Sequence, residues 1–257
     1  MIDILKAKES FKEYVKNYNP EDGKIALKIE HTYKTSEIAK NTAIYLNLDE
    51  EDVKLAELIG LLHDIGRFEQ IKRYNTFSDR NSINHGEFGV KLLFEDGLIR
   101  KFIDENKYDN IIKKAILNHN RKEIEKGLTE KELLHSKIIR DADKTDIYRV
   151  LVEDTIENAY CIKDISNEVI TKEILEMYIK EPHIIDYSKM KSPVDSMVAH
   201  FSYVYDFNYN YGLEIISEEK YLYKLSNKVE FKNKKTKEEI ELIYKMAKDY
   251  LEKCLNK

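Results

Sequence analysis

An all-α fold is what this sequence predicts, and three observations predict it. Apolar positions recur at helical spacing along almost all of the 257 residues, the pattern of helices that each bury one stripe. Glycine (8) and proline (3) are scarce, so the punctuation of a turn-rich all-β chain is missing. Charged residues reach 35% with both signs interspersed, as on solvated helix faces.

Helices are expected near residues 3–17, 24–46, 51–64, 85–95, 98–105, 108–121, 130–160, 168–180, 193–208 and 236–255. Thr129 precedes a helix with Glu132 placed to reach back to it. Asn84 or Ser82 can cap the helix that begins near His85. Gly97 and Gly212 stand where helices can end. Pro182 and Pro193 bracket a loop. Residues 201, 203, 205, 207, 209 and 211 are aromatic, an alternation that by itself argues strand. Helix followed by loop is still expected there, because no second strand is evident to pair with it. Residues 1–150 are expected to form the core that carries the site, and 151–257 a C-terminal helical extension.

The net charge of -5 argues against a surface for extended nucleic acid. No apolar run approaches a membrane span, and the amphipathic start MIDILKAKESFKEY is no signal peptide. Cys161 and Cys254 lack metal or redox spacing and are expected as reduced thiols. A cytoplasmic protein follows from these readings.

The chemistry begins at His63-Asp64, which closes the apolar run LAELIGLLHDIGR. A carboxylate beside an imidazole at the rim of a core is costly unless something pairs with it. His31 shares a stripe with Leu27 and Ile38, and His119 with Ile112 and Ile116. His85 opens a helix whose Val90 and Leu93 face the core. In IIRDADKTDIY, Asp143 lies four residues from both Ile139 and Ile147, Asp146 borders the same face, and Asp141 points elsewhere. A lone histidine on such a stripe is more often a satisfied core residue than a ligand. Four histidines and two aspartates on five helices are a different matter. Imidazole with carboxylate suits iron, manganese, cobalt or zinc. Six ligands exceed the need of one tetrahedral ion, and two ions bridged by a carboxylate would use them all.

The ordered set His31, His63-Asp64, Asp143 resembles the HD superfamily of metal-dependent phosphohydrolases, with His85 and His119 in the order of its dinuclear branch. The resemblance covers roughly residues 24–150. It implies a helical bundle, two divalent ions held by His31, His63, Asp64, His85, His119 and Asp143, and Asp64 as the bridge. The Gly-Tyr-Pro motif of the cyclic-dinucleotide branch is replaced by TFSDRNSINH, so that substrate is not implied. Asn118-His119 stands where paired histidines are frequent, and Arg67 where lysine is common.

The activity implied is hydrolysis of a phosphoester, a phosphodiester or phosphomonoester with nucleotides among the candidates, by a metal-bridged hydroxide. Arg67 is the first choice to meet a phosphate oxygen, with Arg80 and Lys144 as second choices. Asp146 is expected to orient a ligand or assist proton transfer. Residues 68–84 form either a substrate lid or a solvated connection. Three other readings keep this resemblance: a dinuclear-iron oxygenase, a single-ion nucleotidase, and a non-catalytic module binding a nucleotide or partner. His135 is expected near the surface, His183 in a loop, and His200 in core or pocket, without site roles. The aromatic run, with Tyr221 and Tyr223, reads as core or subunit contact, with stacking on a substrate base as the alternative. The last helix is amphipathic and suits internal packing or a homodimer.

Overall fold

The computed structural model of the chain describes residues 2–160 and 162–256. It is all-α, with no strand among the described residues. The chain divides into two compact units, Met1–Asp146 and Ile147–Lys257. Among the described residues, no helix is long and apolar enough to cross a membrane. Cys161 lies outside the described residues, and Cys254 is a free thiol.

The first unit contains α1 (Ile4–Val15), α2 (Gly23–Tyr45), α3 (Glu50–Leu62), α4 (Ile65–Tyr74), α5 (His85–Val90), α6 (Asp109–His119) and the first part of α7 (Glu130–Glu153). Their starts are set by side chains that take up unpaired first-turn amides. Asp3 accepts from Lys6 N, Asp22 from Lys24 N, Asp49 from Asp52 N and Asn84 from Glu87 N. Thr129 and Glu132 bond reciprocally before α7. From Leu55 to Leu62 helix α3 is buried on every side, with Leu55, Leu58, Ile59, Leu61 and Leu62 sealed from solvent, so this part occupies the middle of the unit. Its approach to α2 is so close that a Cβ on Gly60 would stand 2.6 Å from the Ser36 Cα. Only glycine permits that contact.

Two expectations are corrected in this unit. Residues 68–84 do not form one polar connection. Helix α4 starts directly after the His-Asp pair, and Ile65, Phe68 and Ile71 sit on its buried side. Phe68 packs edge-on against Phe11, ring centroids 5.8 Å apart. That three-residue spacing of apolar positions outweighs the surrounding charge. The connection proper is 75–84, with a 3-10 turn at Asp79–Asn81. His135, expected near the surface, is buried at 1% exposure, its Nε2 3.1 Å from Asp52 Oδ1. The carboxylate partner makes that burial tolerable. Nearby differences are smaller: 85–95 ends in a π-helical turn at Lys91–Glu95, and 98–105 holds only a 3-10 turn at Leu98–Lys101.

The second unit contains α8 (Ile156–Tyr160), α9 (Lys172–Lys180), α10 (Pro193–Ser202), α11 (Asn210–Glu218), α12 (Tyr221–Ser226) and α13 (Lys234–Cys254). Tyr178, Met197, Phe201, Ile216 and Ile243 are among its sealed core residues. The helix expected over 130–160 is broken after Glu153. Lys228 Nζ donates to the carbonyls of Leu151, Val152 and Asp154 there, taking up acceptors that a continuing helix would use. The aromatic run is helix to Ser202, then a 3-10 turn at Tyr203–Asp206, then α11. Gly212 is therefore inside a helix and buried, not at a helix end. The run packs on neighbouring rings, with Tyr205 against Tyr250 at 4.5 Å and Tyr178 at 6.0 Å between centroids. Tertiary packing of large rings overrides the alternating pattern.

Candidate metal centre

Helix α3 ends at Leu62, and Asp64 is the N-cap of α4. An aspartate there ordinarily spends its carboxylate on a first-turn amide. Asp64 makes no such capping bond. Its carboxylate is left to the interior, next to the positive end of α4, and it is only 2% exposed.

Four histidines converge on it. Asp64 Oδ2 lies 3.7 Å from His31 Nε2 and 3.6 Å from His63 Nε2. Asp64 Oδ1 lies 3.4 Å from His85 Nε2 and 3.7 Å from His119 Nε2. Asp143 Oδ1 completes the first side, 3.1 Å from His31 Nε2 and 3.6 Å from His63 Nε2. The result is two donor groups sharing Asp64, one with His31 and His63 and the other with His85 and His119, each able to hold a metal ion.

The far side of each ring is engaged. His63 caps the end of α3 and donates Nδ1–H to the Gly60 carbonyl at 2.7 Å; His119 ends α6 and donates to the Ile116 carbonyl at 2.6 Å. His31 Nδ1 meets Asp146 Oδ2 at 2.7 Å, and His85 Nδ1 meets Asp79 Oδ2 at 2.6 Å. Carbonyls and ionised carboxylates accept only, so each Nδ1 carries the hydrogen. In the neutral rings all four Nε2 lone pairs then point inward, the tautomer a metal ligand requires. His85 Nε2 and His119 Nε2 are only 2.9 Å apart. Nε2 of His31 and of His63 is buried without a hydrogen-bond partner among the described residues. Ions bonded at about 2.0–2.2 Å hold adjacent donors roughly 3.0–3.6 Å apart, and the donors here stand 2.9–3.7 Å apart. The donor set fits first-row divalent ions.

Electrostatics agree. Burial works against ionisation of Asp64, but the charge of Lys28, with His63, outweighs it and holds the carboxyl well below its usual range. Asp143 shifts the same way, with His31 and His63 outweighing burial. Burial and Lys28 push His31 down, yet the flanking Asp143 and Asp146 prevail and raise it: the space between these carboxylates attracts positive charge. His85 is lowered to about 4 by burial and by Arg67, which keeps its lone pair available at neutral pH.

Of the residues singled out in the sequence, the structure brings His31, His63, Asp64, His85, His119 and Asp143 together, with Asp146 behind His31. Arg67 Nε lies 3.7 Å from Asp64 Oδ1, but its Nη1 is engaged by Gln70 Oε1, the Phe77 carbonyl and Asp79 Oδ1. Lys144 is half-buried beside Asp143 in sequence. Arg80 is exposed on its turn, without a hydrogen bond to the cluster among the described residues.

Sequence reasoning missed Lys28, whose Nζ is 2.6 Å from Asp64 Oδ2. Its position one helical turn before His31 was an available signal. It also missed Asp79, Gln70 and Phe77, which surround Arg67. Phe77 lies between Lys28 Nζ at 5.4 Å and the Arg67 guanidinium carbon at 5.7 Å from its ring centroid.

Residues 29–148 match the family model of the HD domain. That match supports the HD superfamily for this segment and, as the family is in general one of hydrolases, the broad class of metal-dependent phosphohydrolases. No curated protein and no solved structure matches the chain.

Proposed function

We propose that the chain hydrolyses a phosphoester with two divalent transition-metal ions, one held by His31, His63 and Asp143, the other by His85 and His119, with Asp64 shared between them. The observation that carries this reading is the tautomer set. Four imidazoles spend Nδ1–H on outer acceptors and aim Nε2 at the two oxygens of one buried carboxylate. A single ion leaves half of these lone pairs facing one another.

Bound metal supplies Lewis acidity toward phosphate oxygens and ionises water near neutral pH. The remaining work falls to the chain. Lys28 and Arg67 bring two cations to the same carboxylate, and a phosphoryl group arriving there gains both as partners. Asp146 acts through His31, whose ring it orients. Proton transfer at the substrate is not assigned to it. Lys144, next to Asp143 in sequence, is a second choice, and Arg80 is the least favoured of the three because it stands out in solvent.

The test is metal content per chain, followed by phosphate release from a panel of phosphomonoesters, phosphodiesters and nucleotides. Two ions per chain and turnover of at least one phosphoester are expected, with both the second ion and turnover lost in Asp64→Ala. Oxygen consumption with ferrous iron and no phosphate release from any panel member would transfer the site to the oxygenase reading.

A further inference from the structure

Asp79 lies on the 3-10 turn between α4 and α5 and divides its carboxylate between His85 and Arg67, with one further donor on each oxygen. Oδ2 takes the His85 Nδ1 hydrogen at 2.6 Å, with Asn120 Nδ2 at 3.3 Å. Oδ1 takes Arg67 Nη1 at 2.8 Å and Gln70 Nε2 at 2.9 Å. Gln70 is fully buried and also donates to Ser82 Oγ and the Ile83 carbonyl. The turn is therefore pinned to α4, and the carboxylate cannot favour one partner by drifting from the other.

The two partners serve different ends. His85 belongs to the second donor group. Among the described residues Arg67 makes its hydrogen bonds through Nη1, while its Nε is buried without a hydrogen-bond partner and lies 3.7 Å from Asp64 Oδ1. A guanidinium held on one edge presents the Nε–Nη2 edge as a planar two-hydrogen fork, the shape that accepts two oxygens of one phosphoryl group.

We propose that Asp79 is a positioning residue that sets both the ligand nitrogen of His85 and the oxyanion-binding edge of Arg67, so that one metal ion and the phosphoryl group are lost together when it is replaced. This rests on the two-ion phosphohydrolase reading. It adds that metal binding on the His85 side and phosphate recognition share one carboxylate. Asparagine cannot replace it, because an amide offers one accepting atom where donors converge on both oxygens. The amide nitrogen would then face a hydrogen of either His85 or Arg67.

The experiment uses the full chain as wild type, Asp79→Asn, Asp79→Ala, His85→Gln and Arg67→Gln, each checked for helical content and melting by circular dichroism. Equilibrium dialysis against Mn2+ counts ions and their affinities. Inorganic phosphate affinity is then measured with Mn2+ saturating. His85→Gln is expected to lose one ion, and Arg67→Gln to weaken phosphate while keeping both ions. Both Asp79 variants are expected to show the two defects at once: one ion weakened about 10–100-fold, the other unchanged, and phosphate weakened at least about tenfold, the size of one charged hydrogen bond. A folded Asp79 variant with either property at the wild-type value overturns the proposal. So does failure of both Asp79 variants to fold, which would make the residue structural. Wild-type protein that binds fewer than two ions overturns the two-ion reading itself, and shows this before any variant is made.

Discussion

His85 Nε2 and His119 Nε2 stand 2.9 Å apart, and each ring has already given its Nδ1 hydrogen to an acceptor, Asp79 for one and the Ile116 carbonyl for the other. Two lone pairs at that distance repel unless a cation sits between them. The metal-free chain should therefore be the less stable form. Mn2+ or Co2+ at a hundredfold excess over Kd is expected to add about 2.7 kcal/mol per site, seen as a rise of several degrees in the melting temperature that a chelator reverses. His119→Ala should cut the gain roughly in half. An unchanged melting curve on adding either metal would count against ion binding here.

Lys28 gives the next prediction. Its Nζ is the cation nearest Asp64 Oδ2, at 2.6 Å, and both groups are largely buried. Lys28→Met leaves that carboxylate without this partner in the metal-free chain, a change that costs about 3–5 kcal/mol for a buried pair. An ion bound at Asp64 replaces the missing charge. Stabilisation by metal should thus be larger in Lys28→Met than in wild type. Turnover with metal saturating should fall about tenfold or more if Lys28 also meets phosphate. Equal metal-induced shifts in the two proteins would show that Lys28 does not neutralise Asp64.

The six converging side chains were readable in the sequence because they stand on, or at the ends of, apolar helical runs. His31, His119 and Asp143 stand at core spacing on long helices, where periodicity fixes direction. Lys28 shares that spacing but carries nothing to separate it from the many solvated lysines of this chain. Asp79 has no comparable signal. It sits on an irregular turn, and what makes it matter is the fold of α4 against α5, which no local pattern encodes. The same limit applies to α11 and α12, short helices in an aromatic stretch whose alternation imitates a strand. In that stretch Tyr205, on the 3-10 turn before α11, packs on Tyr250, over forty positions on, a contact that no local pattern encodes.

Gly66 tests how tightly the two halves of the site are joined. A Cβ there would lie 2.3 Å from the His85 carbonyl oxygen and 2.7 Å from the Gly89 nitrogen. Backbone cannot yield as a side chain does, so Gly66→Ala must push α5, and His85 with it, away from Asp64. A loss of about 1–3 kcal/mol, with weaker binding of the His85-side ion, is expected in denaturation and dialysis. Gly23→Ala is the control, since nothing lies within 4 Å of a Cβ there. It should leave metal binding untouched. Parallel behaviour of the two variants would mean that α4 and α5 tolerate separation.

The second unit carries its own acid sensitivity at His200. Rings of Tyr160 and Tyr203 pack on it at 5.8 and 5.5 Å between centroids, and its Nδ1 has no hydrogen-bond partner among the described residues. Burial lowers its pKa from 6.5 to about 4. The folded state therefore binds fewer protons than the unfolded chain between those values, and stability must rise with pH across that window. The contribution is complete above pH 6.5 and is lost as the pH falls toward 4. His200→Gln removes the titrating group while keeping a polar side chain of similar length. Urea denaturation followed at pH 7.5, 6 and 5 should show the wild type losing more stability on acidification than His200→Gln. Curves that fall in parallel would mean that His200 reaches water or a partner on protonation, and that the acid response of this unit arises elsewhere.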